Sequence, residues 1–207
     1  MKTKYKIFLA KIISKILTFF ISKNQTVKRN QINWNLNLDE GIDLSIFLFG
    51  NSEKKVLNFS KLLLKKNTPI IIIDIGANIG SVSLIIAKKF KNSKVFAIEP
   101  TNYAFQKLSK NLDLNDDLKD KVFLKQLFIS DNKKPQKVWS SWNFEKSNNK
   151  HQKHMGTLKE IKQNSYIRLE EFIETEKLTS VDFIKLDVDG HELDVLKLFN
   201  FKKFYIK

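Results

Sequence analysis

A predominantly apolar run lies at residues 70–75 and leads into a glycine-containing segment. Four consecutive isoleucines open this run, and Asp74 and Ile75 close it. A continuous β-branched run of this length is typical of a strand buried on both faces, as in a parallel sheet. Residues 81–90 then place apolar side chains at helical spacing, with lysines near the end. The pattern predicts a strand, a glycine loop and a helix.

Three further apolar runs predict strands of the same sheet, at residues 94–99, 122–129 and 181–187. Helical spacing of apolar residues recurs over residues 101–108 and 191–200. Strands that alternate with helices favour an α/β fold, in which helices cover both faces of a mostly parallel sheet. The glycine loop then lies at the carboxyl end of a strand, where open α/β sheets bind their ligands.

The N-terminal region follows a different pattern. Over residues 1–23 apolar side chains recur every three or four positions and polar ones occupy the opposite face, which predicts a basic amphipathic helix. Lys11 and Lys15 interrupt the apolar run, so a transmembrane span is not expected. A signal peptide is not expected either, because no cleavage site of small residues follows. Two alternatives stay open: a helix on an anionic membrane surface, or a helix packed on the domain.

The pattern divides the chain into three regions. These are the helix at 1–23, a cover region at 24–66 with one short strand and two apolar segments, and a core at 67–207. Within the core, the polar residues 131–164 are interpreted as a functional insertion, because long loops in compact domains tend to be functional or disordered.

The glycine loop, Gly76 to Gly80, suits a nucleoside better than a phosphate. A dinucleotide fingerprint requires a glycine where Asn78 stands, and the Gly-Lys-Ser/Thr of a phosphate-binding loop is absent. Glu99 ends the next predicted strand, at the distance of ~20 residues expected of a carboxylate that accepts from ribose hydroxyls. We therefore predict a nucleoside over the loop; the alternative is an ordinary strand–helix–strand unit with a structural glycine turn.

Three segments together resemble the FkbM family of S-adenosylmethionine-dependent methyltransferases. They are Asp74-Ile-Gly-Ala-Asn-Ile-Gly80, Ala97-Ile-Glu-Pro100 and Phe183-Ile-Lys-Leu-Asp187-Val-Asp189-Gly190-His191-Glu192. The first is shared by many class I methyltransferases, and the third narrows the resemblance to this family. The resemblance covers about residues 40–200. It implies a Rossmann-like class I methyltransferase sheet, S-adenosylmethionine as cofactor, and O-methylation of a hydroxyl on a sugar, a glycan or a secondary metabolite.

The resemblance also implies which residues form the site. Those implied to contact the cofactor are Asp74, Gly76, Ala77, Asn78, Gly80, Glu99, Pro100, Ser130 and Asp131. The acidic turn supplies the catalytic candidates Asp187, Asp189 and His191. Methyl transfer to an alcohol requires alignment of donor and acceptor and a base for the proton, and histidine has the most suitable unperturbed pKa. In the alternative, Asp187 caps the turn and His191 caps or starts a helix. The insertion at 131–164 is interpreted as the part that binds the acceptor.

The C-terminal side departs from the class I pattern. The sequence ends at residue 207, where the family's next strand would begin. We therefore expect a sheet that is incomplete on this side, with strand 181–187 as an apolar edge unless the last residues supply a stub of strand. A truncated, catalytically inactive binding module is the alternative function.

Composition narrows the partners. The 207 residues carry a net charge of +15 but include only two arginines, Arg29 and Arg168. Because arginine dominates the reading of base edges, no specific nucleic-acid partner is expected. The chain has no cysteine, and His151 and His154 lack a third ligand, so no metal site is expected. We expect a cytoplasmic protein. Peripheral contact with the inner membrane face through residues 1–23 corresponds to the membrane alternative, which stays open beside packing on the domain.

Overall fold

The computed structural model describes residues 3–63, 69–130, 137–139, 158–160, 166–188, 190–197, 199 and 205–206. The helices are α1 (Thr3–Phe20), α2 (Gly41–Phe49), α3 (Lys54–Leu63), α4 (Ser83–Lys89), α5 (Asn102–Asp113), α6 (Leu169–Thr175) and α7 (Glu192–Leu196). The strands are β1 (Asn24–Arg29), β2 (Ile32–Asn37), β3 (Ile70–Ile75), β4 (Ser93–Ile98), β5 (Val122–Lys125), β6 (Phe128–Ile129), β7 (Lys137–Trp139), β8 (Leu158–Glu160), β9 (Tyr166–Ile167), β10 (Ser180–Val181), β11 (Phe183–Leu186) and β12 (Tyr205–Ile206).

A four-stranded parallel sheet in the order β11-β3-β4-β5 forms the centre of the molecule. The chain adds β4 and β5 on one side of β3, and later returns to place β11 on the other side. The strand order therefore reverses beside β3. In open α/β sheets the crevice at such a reversal is the preferred ligand site. The predicted α/β class, with the Ile-rich strand inside a parallel sheet, is confirmed.

Both faces of the sheet are covered, because side chains of β3 alternate between two cores. Ile70 and Ile72 point into a core shared with α4, α5 and the strand pair β1–β2. Ile73 and Ile75 point into a second core shared with α6 and α7. A strand buried on both sides needs apolar residues at every position, which explains the uninterrupted isoleucine run.

The cover region forms a hairpin and two helices that share the first core. β1 and β2 pair antiparallel, so this region contains two strands where one was predicted. The outer edge of β2 is satisfied by buried amide side chains of α5 and the turn after it. The N–H of Asn35 donates to Asn111 Oδ1 at 2.8 Å, and that of Asn33 donates to Asn115 Oδ1 at 2.9 Å. Buried polar groups with complete partners hold the hairpin edge without another strand.

Two predicted strands are each split in the structure. The predicted strand 122–129 is wrong at its end: β5 stops at Lys125, and β6 pairs instead with β9 in a separate parallel pair. The predicted strand 181–187 is interrupted at Asp182, which separates β10 from β11. The Asp182 carboxylate accepts the N–H of Ile71 at 2.8 Å, so a side chain replaces one ladder acceptor there.

The C-terminal residues supply the stub of strand that was expected as one alternative. β12 pairs in parallel with β10, with Ser180 opposite Tyr205 and Val181 opposite Ile206. The edge formed by β10 is therefore paired, and the expectation of a wholly bare edge is wrong there.

Helix α1 confirms the predicted N-terminal helix. Ser14 is buried and donates to Asp39 Oδ1 at 2.9 Å, which attaches the helix to the cover region. Among the described residues, no helix has both the length and the apolar character needed to cross a bilayer.

A buried acidic pair joins α2 to α5. Glu40 and Asp43 both contact the Lys107 ammonium group, at 3.0 Å for Glu40 Oε2, and the Tyr103 hydroxyl donates to Glu40. The N–H of Asn37 donates to Asp43 at 2.6 Å. Burial raises the pKa of Asp43 to about 6, although the charge of Lys107 opposes the shift.

This shift predicts a pH-dependent stability. A carboxyl whose pKa is raised by folding stabilises the fold below its unfolded pKa, and this contribution is lost as the pH rises through about 6. Relative to Asp43→Asn, which cannot ionise, the wild type should lose on the order of 3 kcal/mol of unfolding free energy between pH 4 and 7. Urea titrations of both chains at the two pH values measure this. The exposed Asp113→Asn is the control, and equal differences at both pH values would contradict the linkage.

Candidate active site

The glycine loop crosses the carboxyl end of β3 in a conformation that only some residues adopt easily. Gly76, Asn78 and Gly80 have positive φ angles of 79°, 52° and 90°. A Cβ on Gly76 would lie 1.9 Å from the backbone oxygen of Asp187. Gly76 is therefore required by the close contact between the loop and the acidic turn that follows β11.

The backbone donors of the loop are already engaged. Four N–H groups donate to protein acceptors: those of Gly76 and Ala77 to the Ile98 carbonyl, that of Asn78 to the Glu99 carboxylate and that of Gly80 to the Ala77 carbonyl. A phosphate site at such a loop requires free N–H groups that point at the anion. The geometry therefore agrees with the prediction that this loop does not bind phosphate.

Glu99 ends β4 and closes the loop from one side. Its Oε2 accepts the N–H of Asn78 at 3.0 Å, and its Oε1 accepts the N–H and hydroxyl of Thr101 at 2.9 and 2.5 Å. A carboxylate has about four acceptor positions, and these contacts use three of them. Burial raises the pKa of Glu99, while the bonds from Thr101 and Asn78 oppose the shift.

On the other side of the loop, the buried Lys185 of β11 lies inside a cage of oxygen atoms. Its ammonium nitrogen is 3.1 Å from the Gly76 carbonyl oxygen and 3.2 Å from Asp74 Oδ1. The carboxylates of Asp187 and Glu53 are 3.6 and 3.8 Å away. The second oxygen of Asp74 accepts the Ser83 hydroxyl at 2.6 Å. Lys185 therefore ties β11, β3 and the segment before α3 together.

The cage has an excess of negative charge. Three carboxylates surround one ammonium group, so the cluster is net negative when all four groups are ionised. Burial disfavours the charge of Lys185, but the three carboxylates outweigh this cost and raise the pKa of Lys185 above its ordinary value. Burial also raises the pKa of Glu53, against the attraction of Lys185. Such a cluster favours a cationic ligand group at its exposed side.

The acidic turn presents one of its carboxylates to solvent and uses another to shape the backbone. The Asp187 side chain is 60% exposed beside the loop. The Glu192 carboxylate accepts the N–H groups of Val188 and Gly190 at 3.3 and 3.2 Å. Although burial opposes it, these backbone bonds lower the pKa of Glu192. Glu192 thus folds the turn and leaves Asp187 accessible.

His191 precedes α7 and is partly buried. Its ring packs edge-on against Phe128, with ring centroids 5.8 Å apart, and its Nδ1 lies 3.5 Å from Asp194 Oδ2. Its side chain makes no helix-capping hydrogen bond. In the alternative interpretation, His191 caps or starts a helix. It does precede the first residue of α7, but its side chain does not cap the helix. The ring is held in place by Phe128 and Asp194 and remains partly open to solvent.

The structure brings most of the predicted residues to one edge of the sheet. The glycine loop, Glu99 and Asp187 follow the adjacent strands β3, β4 and β11, with the loop in the middle. Pro100 directly follows Glu99, and the buried Ser130 follows β6, where its N–H donates to the Ile167 carbonyl at 3.1 Å. Two of the predicted site residues, Asp131 and Asp189, lie outside the described part of the chain, as do His151 and His154.

Sequence reasoning missed Lys185, Glu53 and Glu192. A lysine between apolar residues in the middle of a core strand was a usable signal for Lys185, because a buried ammonium group requires acidic partners. Glu53 had no local signal, since it approaches Lys185 from a distant part of the chain.

Comparison with known proteins places this site in a family. Residues 74–207 match the family described as Methyltransferase FkbM domain. This chain belongs to the FkbM methyltransferase family. S-adenosylmethionine is the cofactor of this family. The chain is also 47% identical over 47 residues to methyltransferase sdnD of Sordaria araneosa, an alignment that covers 23% of this chain and 18% of that protein.

Two solved structures are similar in fold. The methyltransferase domain of METTL16 has a TM-score of 0.50 at 13% identity and covers 95% of this chain and 59% of that one. A methyltransferase FkbM from Methylobacillus flagellatus has a TM-score of 0.42 at 22% identity and covers 67% and 30%. This chain thus spans less than two thirds of each of these relatives. At such identities the likeness to METTL16 concerns the Rossmann-like fold alone.

The cage predicts that Lys185→Met is strongly destabilising. The substitution leaves buried carboxylates without a cation, which costs about 3–5 kcal/mol when one partner of a buried pair is removed. Lys88→Met breaks a more exposed pair with Asp117 and should cost less than about 1 kcal/mol. Urea unfolding measures both costs.

Adding Asp74→Asn to Lys185→Met should restore part of the loss, because the most buried carboxylate is then neutral. A Lys185→Met chain within about 1 kcal/mol of the wild type would show that the cage does not hold the strands.

Proposed function

We propose that this chain binds S-adenosylmethionine along the carboxyl ends of β4, β3 and β11 and methylates a hydroxyl of a sugar, a glycan or a secondary metabolite. The observation that carries the proposal is the adjacency of a ribose-type carboxylate, a glycine loop and an acidic turn on three neighbouring strands. Family membership supports methyl transfer, and the hydroxyl acceptor is the class suggested by the family resemblance.

The residues present fit the two ends of this cofactor. Glu99 keeps one acceptor position for a ribose hydroxyl, next to the N–H of Asn78. On the opposite side of the loop, the net negative cage with the exposed Asp187 suits an α-ammonium group and a sulfonium. A molecule with a neutral sugar at one end and positive charge at the other matches this polarity along the crevice.

When bound, the cofactor supplies a methyl group activated by the sulfonium. The chain contributes position: Lys185 holds Asp187 and the Gly76 carbonyl in fixed places beside the loop. Alignment of donor and acceptor supplies a substantial part of the rate enhancement in an in-line displacement. Asp187 then orients either the methionine end or the acceptor, and the absence of free loop N–H groups at positions 76–78 and 80 disfavours phosphorylated ligands there.

We infer that His191 takes the acceptor proton. Asp194 lies on its Nδ1 side, so the proton of the hydroxyl is accepted at Nε2. A histidine oriented by a carboxylate is a common arrangement for a general base, and such contacts are often long before substrate binds. The alternative of an inactive binding module is not favoured, because the glycine loop, Glu99 and the acidic turn are all retained.

Cofactor binding can be tested by calorimetric titration with S-adenosylmethionine and its demethylated product. Wild type should bind both, and Glu99→Gln should bind roughly 10-fold to 100-fold more weakly, since a hydrogen bond to a charged group contributes about 1.5–3 kcal/mol. Asp116→Asn, an exposed substitution far along the chain from the loop, is the control. A well-folded wild-type chain that binds neither compound would remove the basis of the proposal.

Catalysis can be tested separately with Asp187→Asn and His191→Gln in a methyl-release assay with hydroxylated acceptors. Loss of the base should lower kcat by about 100-fold or more in His191→Gln while the cofactor still binds. Asp187→Asn should raise KM for the cofactor or the acceptor. Leu193→Ser, an 82% exposed position in the same helix, is the matched control. Wild-type turnover in both variants would exclude the acidic turn from the mechanism.

A further inference from the structure

Helix α1 is attached to the domain by one side only. Ser14 is 1% exposed and bonded to Asp39, whereas Ile7, Ile13 and Leu17 are half-buried on the same half of the helix. The cover region therefore covers a narrow strip of α1, and the remaining surface of the helix faces away from the domain.

That outer surface is apolar over its full length. Seven large side chains on it are substantially exposed: Tyr5 61%, Phe8 63%, Leu9 49%, Ile12 39%, Ile16 55%, Phe19 82% and Phe20 77%. With 3.6 residues per turn they fall within roughly 120° of arc, centred opposite Ser14. We call these seven residues the outer face. Monomeric proteins rarely expose contiguous apolar surface of this extent unless it meets a partner or a membrane.

The charges around the outer face identify its partner. Exposed lysines, Lys6 and Lys15, lie at its two borders, and α1 contains no acidic residue. Two copies of the helix packed face to face would place lysines and no carboxylate along their shared borders, so no ion pair between the helices would stabilise self-association. An apolar helix face of phenylalanine, leucine and isoleucine side chains with lysines along its two edges is typical of helices that lie in the plane of an anionic membrane surface.

We propose that α1 binds the surface of a membrane that contains anionic lipids. The outer face enters the boundary between headgroups and acyl chains, and Lys6 and Lys15 lie at the level of the lipid phosphates. Because Ser14 and its neighbours attach the opposite side of α1 to the cover region, the domain is held directly above the bilayer. The cytoplasmic leaflet carries such anionic lipids.

The test is flotation of the full-length chain with vesicles of phosphatidylcholine alone or mixed with phosphatidylglycerol. Wild type should float with the mixed vesicles and bind them at least about tenfold more tightly than neutral ones, with binding weakened by salt. The triple variant Phe8→Ser, Ile16→Ser, Phe19→Ser alters only exposed positions, and should lose about tenfold or more of this binding while it unfolds at the same urea concentration.

Two further variants separate the contributions. Lys6→Glu with Lys15→Glu should abolish the preference for phosphatidylglycerol. Phe49→Ser with Phe59→Ser removes exposed apolar side chains elsewhere, 71% and 62% exposed, and should bind like wild type. The proposal is overturned if wild type floats with neither kind of vesicle, or if the triple variant binds as well as wild type. It is also overturned if wild type binds no vesicles and sediments as an oligomer that the triple variant dissociates.

Discussion

The buried ammonium group of Lys185 joins the parts of the molecule that form the site. It lies on β11, contacts the carbonyl of Gly76 and the carboxylate of Asp74, and faces Glu53 from the segment before α3. Removing an ion from water costs several kcal/mol, and the surrounding carboxylates offset this cost only if the strands keep their spacing. The same contact that holds β11 against β3 therefore sets the charge of the crevice between them.

The glycine loop and the acidic turn pack tightly against each other. Gly76 has no room for a Cβ because the Asp187 carbonyl occupies that space. Gly80 likewise packs against Leu108, where an added Cβ would lie 2.7 Å from the side chain. A nucleoside was predicted over the loop that contains these glycines. In the structure their first role is internal packing, and the proposed ligand surface consists of the side chains at the strand ends on either side.

A series of polar contacts links helix α1, through the cover region, to helix α5. Ser14 of α1 binds Asp39, the next residue Glu40 accepts from Tyr103, and α5, which carries Tyr103, begins three residues after Glu99. The Tyr103 hydroxyl donates to Glu40. Burial, together with the hydrogen bond to that carboxylate, raises the pKa of Tyr103. The cover region is thus attached through Glu40 to α5, the helix that follows Glu99 in the chain.

Local patterns predicted the elements well where one face or both faces of an element are apolar. The isoleucine run gave β3 with the observed bounds, and helical spacing in the second apolar segment of the cover region, residues 56–64, predicted a helix where α3 lies. No helix was predicted at α2. The predicted strand ends were wrong where the chain leaves the central sheet to pair with another segment or where a side chain takes part in the backbone hydrogen bonding. β5 ends at Lys125 because the chain then turns to pair Phe128 with Tyr166, and Asp182 interrupts the last core strand by accepting a backbone bond itself. Neither event has a signal in residue type or spacing.

The sequence by itself determined the α/β class, the loop after β3, the carboxylate after β4 and the family, since these depend on local periodicity and on contiguous motifs. Only the tertiary structure decided that β11 lies on the opposite side of β3 from β4, so that the crevice opens between Gly76 and Asp187. It also decided that Lys185 is caged by groups from three segments and that one side of α1 is left apolar and exposed. The physical reason is that burial and charge pairing depend on which distant segments meet, and sequence spacing does not specify those meetings.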